Sequence, residues 1–324
     1  MSIANSFAVL GLDVSKAKLD GALRLPNGKY KTKTIPNTPA GFQELQTWLG
    51  KQSIAPVRVC LEATGIYWEA VAECLADTGF PVAVVNPAQI KAHRVALGTR
   101  TKTDAVDARL IADFGYRHEF VPWQPPPQAE RELRARVLRL DALQRMRIQE
   151  GNRLAVAPAM VRASLEAHLA WLDAEIEALI RAIRHRIKAD PDLRQKARLL
   201  DAISGLGERT IAVLLAFSVT PDRFQCARQV AGYAGLNPRR HDSGSLQRPA
   251  RLSKVSHAFL RKALYMPALV ALYKTAWGKV FGARLASAGK PPMVIIGAMM
   301  RKLLQMAFGV LRSAQPFNPA LHGA

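Results

Sequence analysis

Acidic residues are scarce in this sequence. Asp and Glu number 25 against 46 Lys and Arg, which leaves a formal charge of +21 over 324 residues. Such a chain draws polyanions and releases their counterions on binding. Nucleic acid is the first partner this suggests, and an anionic membrane surface the second. Cysteine is rarer still: Cys60, Cys74 and Cys226 lie far apart and form no CxxC pair. That excludes a disulfide framework and a paired-thiolate zinc site, and leaves buried free thiols as the expectation. Long apolar runs are missing too. The longest, residues 293–300, is stopped by Arg301 and Lys302 short of bilayer-spanning length. The N-terminus lacks the basic, apolar, small-residue order of a signal peptide. The expectation is a cytoplasmic, nucleoid-associated protein with no membrane partner.

Hydrophobic residues at 49% and charged ones at 22% are an ordinary globular mixture, long enough for one to three domains. The first third reads as mixed α/β. Residues 7–14 form an apolar run of strand length, and residues 18–25 alternate. Asn27-Gly28 offers two φ > 0 positions for a tight hairpin, and residues 29–35 return. A helix over 41–49, a strand over 57–62, a helix over 67–77 and a strand over 80–86 follow, and Pro87 suits the first turn of a new helix. Residues 104–116 read as a helix with Ala105, Ala108, Ile111 and Ala112 on one face. A three-strand meander followed by strand–helix units is the order of a ribonuclease-H-like domain.

The proline-rich stretch VPWQPPP (121–127) marks a boundary. Residues 129–152 and 164–188 then read as two long helices. In the second, Leu165, Leu169, Leu172, Ile176, Leu179 and Ile183 follow alternating steps of four and three, a coiled-coil seam. An antiparallel hairpin within one chain and a dimerisation arm both satisfy that seam. From Leu199 onward the chain is helical and basic. Gly205 and Gly207 precede the apolar run 211–217. Glycines before a helix start let backbone N–H groups face a phosphate, as in helix–hairpin–helix modules, or simply make a tight turn.

Against the shortage of acids, four have placements that need explaining. Asp13 ends the first strand in GLDVS, Glu62 ends a later strand in CLEATG, and Asp104 and Asp107 share a helix face in KTDAVDAR. Carboxylates gathered together repel one another, and burial adds to the cost. A divalent cation removes both penalties, and oxygen-only ligands favour Mg²⁺ or Mn²⁺ over zinc. Two such ions about 4 Å apart activate a nucleophile and stabilise the leaving oxygen of a phosphodiester. Taken singly, three of the four also have a plain structural role available. Asp104 suits a helix N-cap, Asp107 a pair with Arg109 or Arg100, and Asp13 a turn cap through Ser15.

A second constellation lies in residues 223–262, which hold nine Arg or Lys and one acid, Asp242. At its centre, GLNPRRHDSGS (235–245) carries Asn-Pro and Ser-Gly pairs that imply an exposed loop. A serine hydroxyl ringed by guanidiniums is placed to attack phosphorus. The resulting phosphoserine ester would conserve the bond for rejoining. Chemistry alone does not separate Ser243 from Ser245 or Ser253, and a solvated DNA-contact loop fits the same spacing. Arg239, Arg240, Arg251 and Lys254 are the phosphate contacts expected here. His241 suits either proton transfer or another phosphate contact. Trp171, Trp277, Met299 and Met300 read as core.

GLDVSKAKLD, CLEATGIYWEAVAECL, VNPAQIKA, KTDAVDARLIADF, SGLGERTIAVLLA, AGLNPRRHDSGS and LRKALYMPALVA together resemble the DEDD transposases of the insertion sequence one-ten family. The likeness runs from about residue 8 to about residue 312 and is strongest toward that family's bridge-RNA-guided recombinases. It implies a RuvC-like domain over 1–120, a helical coiled-coil region over 128–190 and a C-terminal transposase domain over 195–324. It puts the four acidic positions on Asp13, Glu62, Asp104 and Asp107 and the catalytic serine on Ser243. It also implies Mg²⁺ or Mn²⁺, donor and target DNA, a non-coding guide RNA, and a homo-oligomer, a dimer or dimer of dimers, in which one subunit's serine works beside another's carboxylates. An aromatic content of only 7% accords with a protein that leaves sequence reading to base pairing. The enzyme alternative is a nuclease resembling a Holliday-junction resolvase, working with water; the non-enzyme alternative is a basic scaffold.

Overall fold

The computed structural model describes residues 7–52, 56–98, 101, 103–217, 219–239, 251–253 and 257–322. The chain forms two compact units, Met1–Pro125 and Pro126–Ala324, which divide inside the proline-rich stretch.

The first unit is built on a five-stranded sheet of order β3-β2-β1-β4-β5, from β1 (Ala8–Val14), β2 (Lys18–Arg24), β3 (Tyr30–Pro36), β4 (Val57–Glu62) and β5 (Val82–Val85). β1 pairs antiparallel with β2 and parallel with β4, so the meander and the strand–helix units share the central strand. The order is compatible with a ribonuclease-H-like domain. At the β2–β3 turn only Gly28 takes positive φ (83°), so Asn27-Gly28 does not form the expected two-residue turn. Pro26 explains the difference: its ring holds φ negative, which suits a type I turn closed by a left-handed glycine. The Gly28 N–H accordingly donates to Leu25 O and the Leu25 N–H to Lys29 O.

Period-two alternation gives the sheet two faces. Leu10, Leu12, Leu19, Leu23, Val59 and Leu61 are buried in one core with residues of α1 (Pro39–Gly50) and α2 (Glu69–Asp77). Val9, Cys60 and Val85 form the other core with Ile90 of α3 (Pro87–Ala96) and Leu110 and Ile111 of α4 (Asp104–Arg117). α4 lies close on β1 because Gly11 has no side chain. A Cβ there would stand 2.2 Å from Ala108 O and 2.3 Å from Ala112 N. Asn86 caps α3 ahead of Pro87, and Thr103 rather than Asp104 caps α4.

Among its described residues, the second unit is helical apart from one short ribbon. α5 (Gln128–Ala155) and α6 (Ala159–Ala189) form an antiparallel hairpin. Its cross-pairs run in opposite directions along the two helices: Glu132 with Arg186 (3.0 Å), Arg147 with Asp173, and Glu150 with His168 (2.9 Å). Along the seam, Leu172, Ile176 and Ile183 are buried, whereas Leu165, Leu169 and Leu179 are half-buried. Met146, Ile148, Val156 and Met160 near the turn are exposed. Trp171 is also exposed and stacks on His168, contrary to the core placement expected of it, because it projects from the helix beside the seam. Trp277, Met299 and Met300 are buried.

Among the described residues, six further helices belong to this unit: α7 (Pro191–Asp201), α8 (Glu208–Ala216), α9 (Ala227–Tyr233), α10 (Ala258–Lys274), α11 (Ala276–Ser287) and α12 (Pro292–Ser313). Inside α10, Pro267 donates no hydrogen bond to Ala263 O; the Thr210 hydroxyl of α8 lies 3.4 Å from that carbonyl and donates instead. α12 runs straight through Arg301 and Lys302 and, among the described residues, is the one helix long and apolar enough to cross a membrane. Its apolar face, including Leu303, Leu304 and Phe308, is buried in this unit's core. Cys60 is buried and burial pushes its thiol up to about 12, but Cys74 is half-buried and Cys226 exposed, so the thiols are not uniformly core.

Candidate functional site

Asp13 and Glu62 reach one end of the sheet by register. The parallel β1–β4 ladder ends at Leu12 paired with Leu61, so Asp13 and Glu62 are the next residue of each strand just past its end. Gly11 faces α4, and Asp13, two residues on, shares that face. Cys60 packs against Gly115 of α4, so Glu62 shares the same face by the same alternation. Asp104 and Asp107 occupy the first turn of α4, Asp104 one turn and Asp107 one residue before Ala108, which meets Gly11.

The shared field shows on Asp13. Its carboxyl is pushed up to about 6, first by burial and then by Asp107, Asp104, Glu62 and Asp20 in decreasing order. Acids from β2, β4 and α4 therefore surround one half-buried carboxyl. Asp20 was not singled out from the sequence. It lies directly opposite Asp13 in the β1–β2 ladder, is buried, and accepts a 2.6 Å bond from the Thr34 hydroxyl. The signal was the regular spacing of GLDVSKAKLD, in which the second aspartate returns beside the first.

The structural roles available to these acids fall elsewhere. Ser15 closes the β1–β2 turn itself, donating to Lys18 O (2.8 Å) and accepting from the Lys18 N–H (3.1 Å). Asp107 pairs with Arg94 of α3 at 2.5 Å, not with Arg109, and Arg100 lies outside the described residues. Asp104 pairs with Lys18 at 2.7 Å, and this bond holds its carboxyl below the usual range. The Lys18 ammonium also reaches Asp20 at 2.9 Å, and its pKa is raised, chiefly by the bond to Asp104 and then that to Asp20. The Thr64 hydroxyl donates to Glu62 at 2.6 Å. Among the described residues, no three His, Cys, Asp or Glu side chains stand close enough to hold an ion as they lie. The donor chemistry nevertheless suits Mg²⁺ or Mn²⁺: hard oxygen ligands from three elements and a central carboxyl short of positive charge.

In the second unit, β6 (Pro238–Arg239) pairs with β7 (Arg251–Leu252), Arg239 opposite Arg251. Residues 240–250 join these strands; Ser243, Arg240, His241 and Ser245 are among them and, like Lys254, lie outside the described residues. Arg239 is exposed. The Ser253 N–H donates to Asn237 O at 2.9 Å, beside the ribbon. Gly205 has φ +108° and packs on Ala271, so its position requires glycine for backbone and packing. Gly207 caps α8, whose first-turn Glu208 is held by Arg184 at 2.6 Å.

A mixed α/β unit that gathers acids at one end of its sheet, joined to a helical unit in a strongly basic chain, has the features of a DNA recombinase or transposase. Residues 10–157 match the family described as Transposase, and residues 197–282 match the Transposase IS116/IS110/IS902 family. Over 318 residues the chain is 32% identical to the pilin gene-inverting protein of Moraxella bovis, covering 97% of this chain and 98% of that one. The pilin gene-inverting protein of Moraxella lacunata is similar to the same extent. A probable family 20 transposase of Pseudomonas aeruginosa is 28% identical over 249 residues, 66% of this chain and 70% of that one. The chain belongs to the IS116/IS110/IS902 family of transposases.

Proposed function

We propose that this chain cuts and rejoins DNA at an insertion-sequence end with two cooperating sites, a divalent-cation site on Asp13, Glu62, Asp104 and Asp107 and a nucleophile, Ser243. The observation that carries the reading is the half-buried Asp13 carboxyl, surrounded by acids from β2, β4 and α4 and pushed up to about 6. When bound, Mg²⁺ or Mn²⁺ supplies positive charge to the attacking and leaving oxygens of the phosphodiester. The Ser243 hydroxyl oxygen forms a bond to phosphorus, the bond to a deoxyribose oxygen breaks, and that oxygen takes up a proton. A second deoxyribose hydroxyl then attacks the phosphoserine ester, restores the phosphodiester and returns the serine. Arg239, Arg240, Arg251 and Lys254 hold phosphates, and the backbone N–H groups beyond Gly205 and Gly207 face another in the manner of a helix–hairpin–helix module.

In this reading residues 1–120 are a RuvC-like catalytic domain, 128–190 a coiled-coil arm and 195–324 the serine-bearing domain. Donor and target DNA are the substrates, and an element-encoded RNA selects them by base pairing. The exposed apolar residues near the α5–α6 turn support contacts between copies in a homo-oligomer.

The test is a covalent trap. Wild-type protein incubated with Mg²⁺, guide RNA and labelled donor and target DNA is expected to give a protein–DNA adduct that survives denaturation, with phosphate on Ser243 by mass spectrometry. Ser243→Ala is expected to give none and to lose strand exchange. Cleavage by Ser243→Ala at the wild-type rate, without an adduct, would instead establish a resolvase-like nuclease working through water.

A further inference from the structure

Two of the four acids already hold cations of this chain. Lys18 bridges Asp104 and Asp20, joining β2 to the first turn of α4, and Arg94 joins α3 to Asp107 in the same turn. Among the described residues, no cationic side chain pairs with Asp13 or Glu62. The division is uneven in burial as well. The Lys18–Asp104 pair is about half exposed, whereas Arg94 and Asp107 are 21% and 17% exposed. The acids bound to Lys18 and Arg94 are half of the proposed ligand set, and among the described residues no three acids converge to hold an ion.

We propose that Lys18 and Arg94 are place-holding counter-ions, which neutralise Asp104 and Asp107 in the free protein and must be displaced from them when divalent cations load. The inference rests on the carboxylate reading above and adds two positioning residues to it. Charge accounts for the exchange. Several carboxylates around one end of a sheet repel one another, and a protein that folds before it meets metal needs internal cations there. Those cations then compete for the same oxygens. Lys18 keeps Asp20 as a partner after release, which gives the buried Asp20 a use that the catalytic scheme does not otherwise supply. The freed Arg94 guanidinium stands beside the loaded site, where a phosphate oxygen can replace the carboxylate it has given up.

The test is calorimetric titration of the full chain with MnCl2, using Lys18→Met, Arg94→Met and Asp13→Asn. Removing a competitor tightens binding. The expected gain is about three-fold for the exposed Lys18 pair and about ten-fold for the more buried Arg94 pair. In chelator both Met variants melt below wild type, and Mn²⁺ raises their melting temperatures by more than it raises that of wild type. Unchanged or weaker Mn²⁺ binding by variants that fold overturns the inference while leaving the carboxylate site standing, provided Asp13→Asn abolishes the binding seen in wild type. If wild type takes up no Mn²⁺, both readings fall. Should either Met variant not fold, wild type alone suffices: the Arg94 Nε–Hε resonance is expected to shift on Mg²⁺ addition, and a resonance unmoved at saturation overturns the inference.

Discussion

Asp13→Asn is expected to remove strand exchange by a factor of at least about 10³, the loss of roughly 4 kcal/mol of transition-state stabilisation, while nucleic-acid binding survives. The substitution keeps the side chain's size and removes one charge from the centre of the proposed site. In the proposed scheme the basic residues carry the nucleic-acid affinity, so a gel-shift titration should move little when strand exchange disappears. The same variant should be more stable than wild type in chelator at neutral pH. Burial and the neighbouring acids push the folded Asp13 carboxyl up to about 6 from its ordinary value of 3.8. A raised carboxyl binds more protons folded than unfolded across that window, so its contribution to stability is present below pH 3.8 and is lost as pH rises through 6. At pH 7 the wild-type fold therefore carries an uncompensated charge that asparagine removes. Thermal melts in EDTA should show Asp13→Asn above wild type at pH 7 and the difference shrinking toward pH 4. A variant that exchanged strands normally, or one that was less stable in EDTA at pH 7, would contradict this placement of Asp13.

Gly11→Val is expected to disrupt the first unit rather than merely slow the reaction. The added Cβ would stand 2.2 Å from the Ala108 carbonyl oxygen and 2.3 Å from the Ala112 nitrogen, and both are helix backbone. Neither can rotate away as a side chain would, so α4 must move off β1. That displacement would separate Asp104 and Asp107 from Asp13 and open the core formed by Val9, Cys60 and Ile111. Overpacking of this kind costs at least about 3 kcal/mol. The expected result is loss of the cooperative melting transition of the first unit and exposure of the buried Cys60 thiol to alkylation. Native-like protection of Cys60 in this variant would show that the α4–β1 approach is less tight than described.

Much of the first unit was legible because its strands are short, alternate, and are punctuated by Asn-Gly, Pro and capping residues. Residues 57–62 read as a strand and form one, and Pro87 opens a helix as its fixed φ favours. The hairpin turn departs from the Asn27-Gly28 expectation because Pro26, outside that dipeptide, controls which turn forms. The α5–α6 hairpin follows the seam periodicity, but the exposure of Trp171 does not, since a heptad pattern gives the buried stripe and says little about residues at its edge.

The acids at the strand ends stood out because they interrupt apolar runs in an acid-poor chain. Their partners did not. Lys18 and Asp104 are 86 positions apart, and Arg94 reaches Asp107 from a separate helix. In a chain with 46 basic residues, nothing local distinguishes the two that meet these acids. Asp20 was hidden for a related reason: its importance comes from facing Asp13 across the ladder, a relation set by the turn between them.

The most direct test is to grow crystals with MnCl2 and measure anomalous diffraction at a wavelength that singles out manganese. A peak bounded by Asp13, Glu62 and the first turn of α4 is the expected result, with Lys18 and Arg94 turned away from Asp104 and Asp107. A manganese peak elsewhere, with these acids still paired to Lys18 and Arg94 at saturating Mn²⁺, would contradict the proposed site.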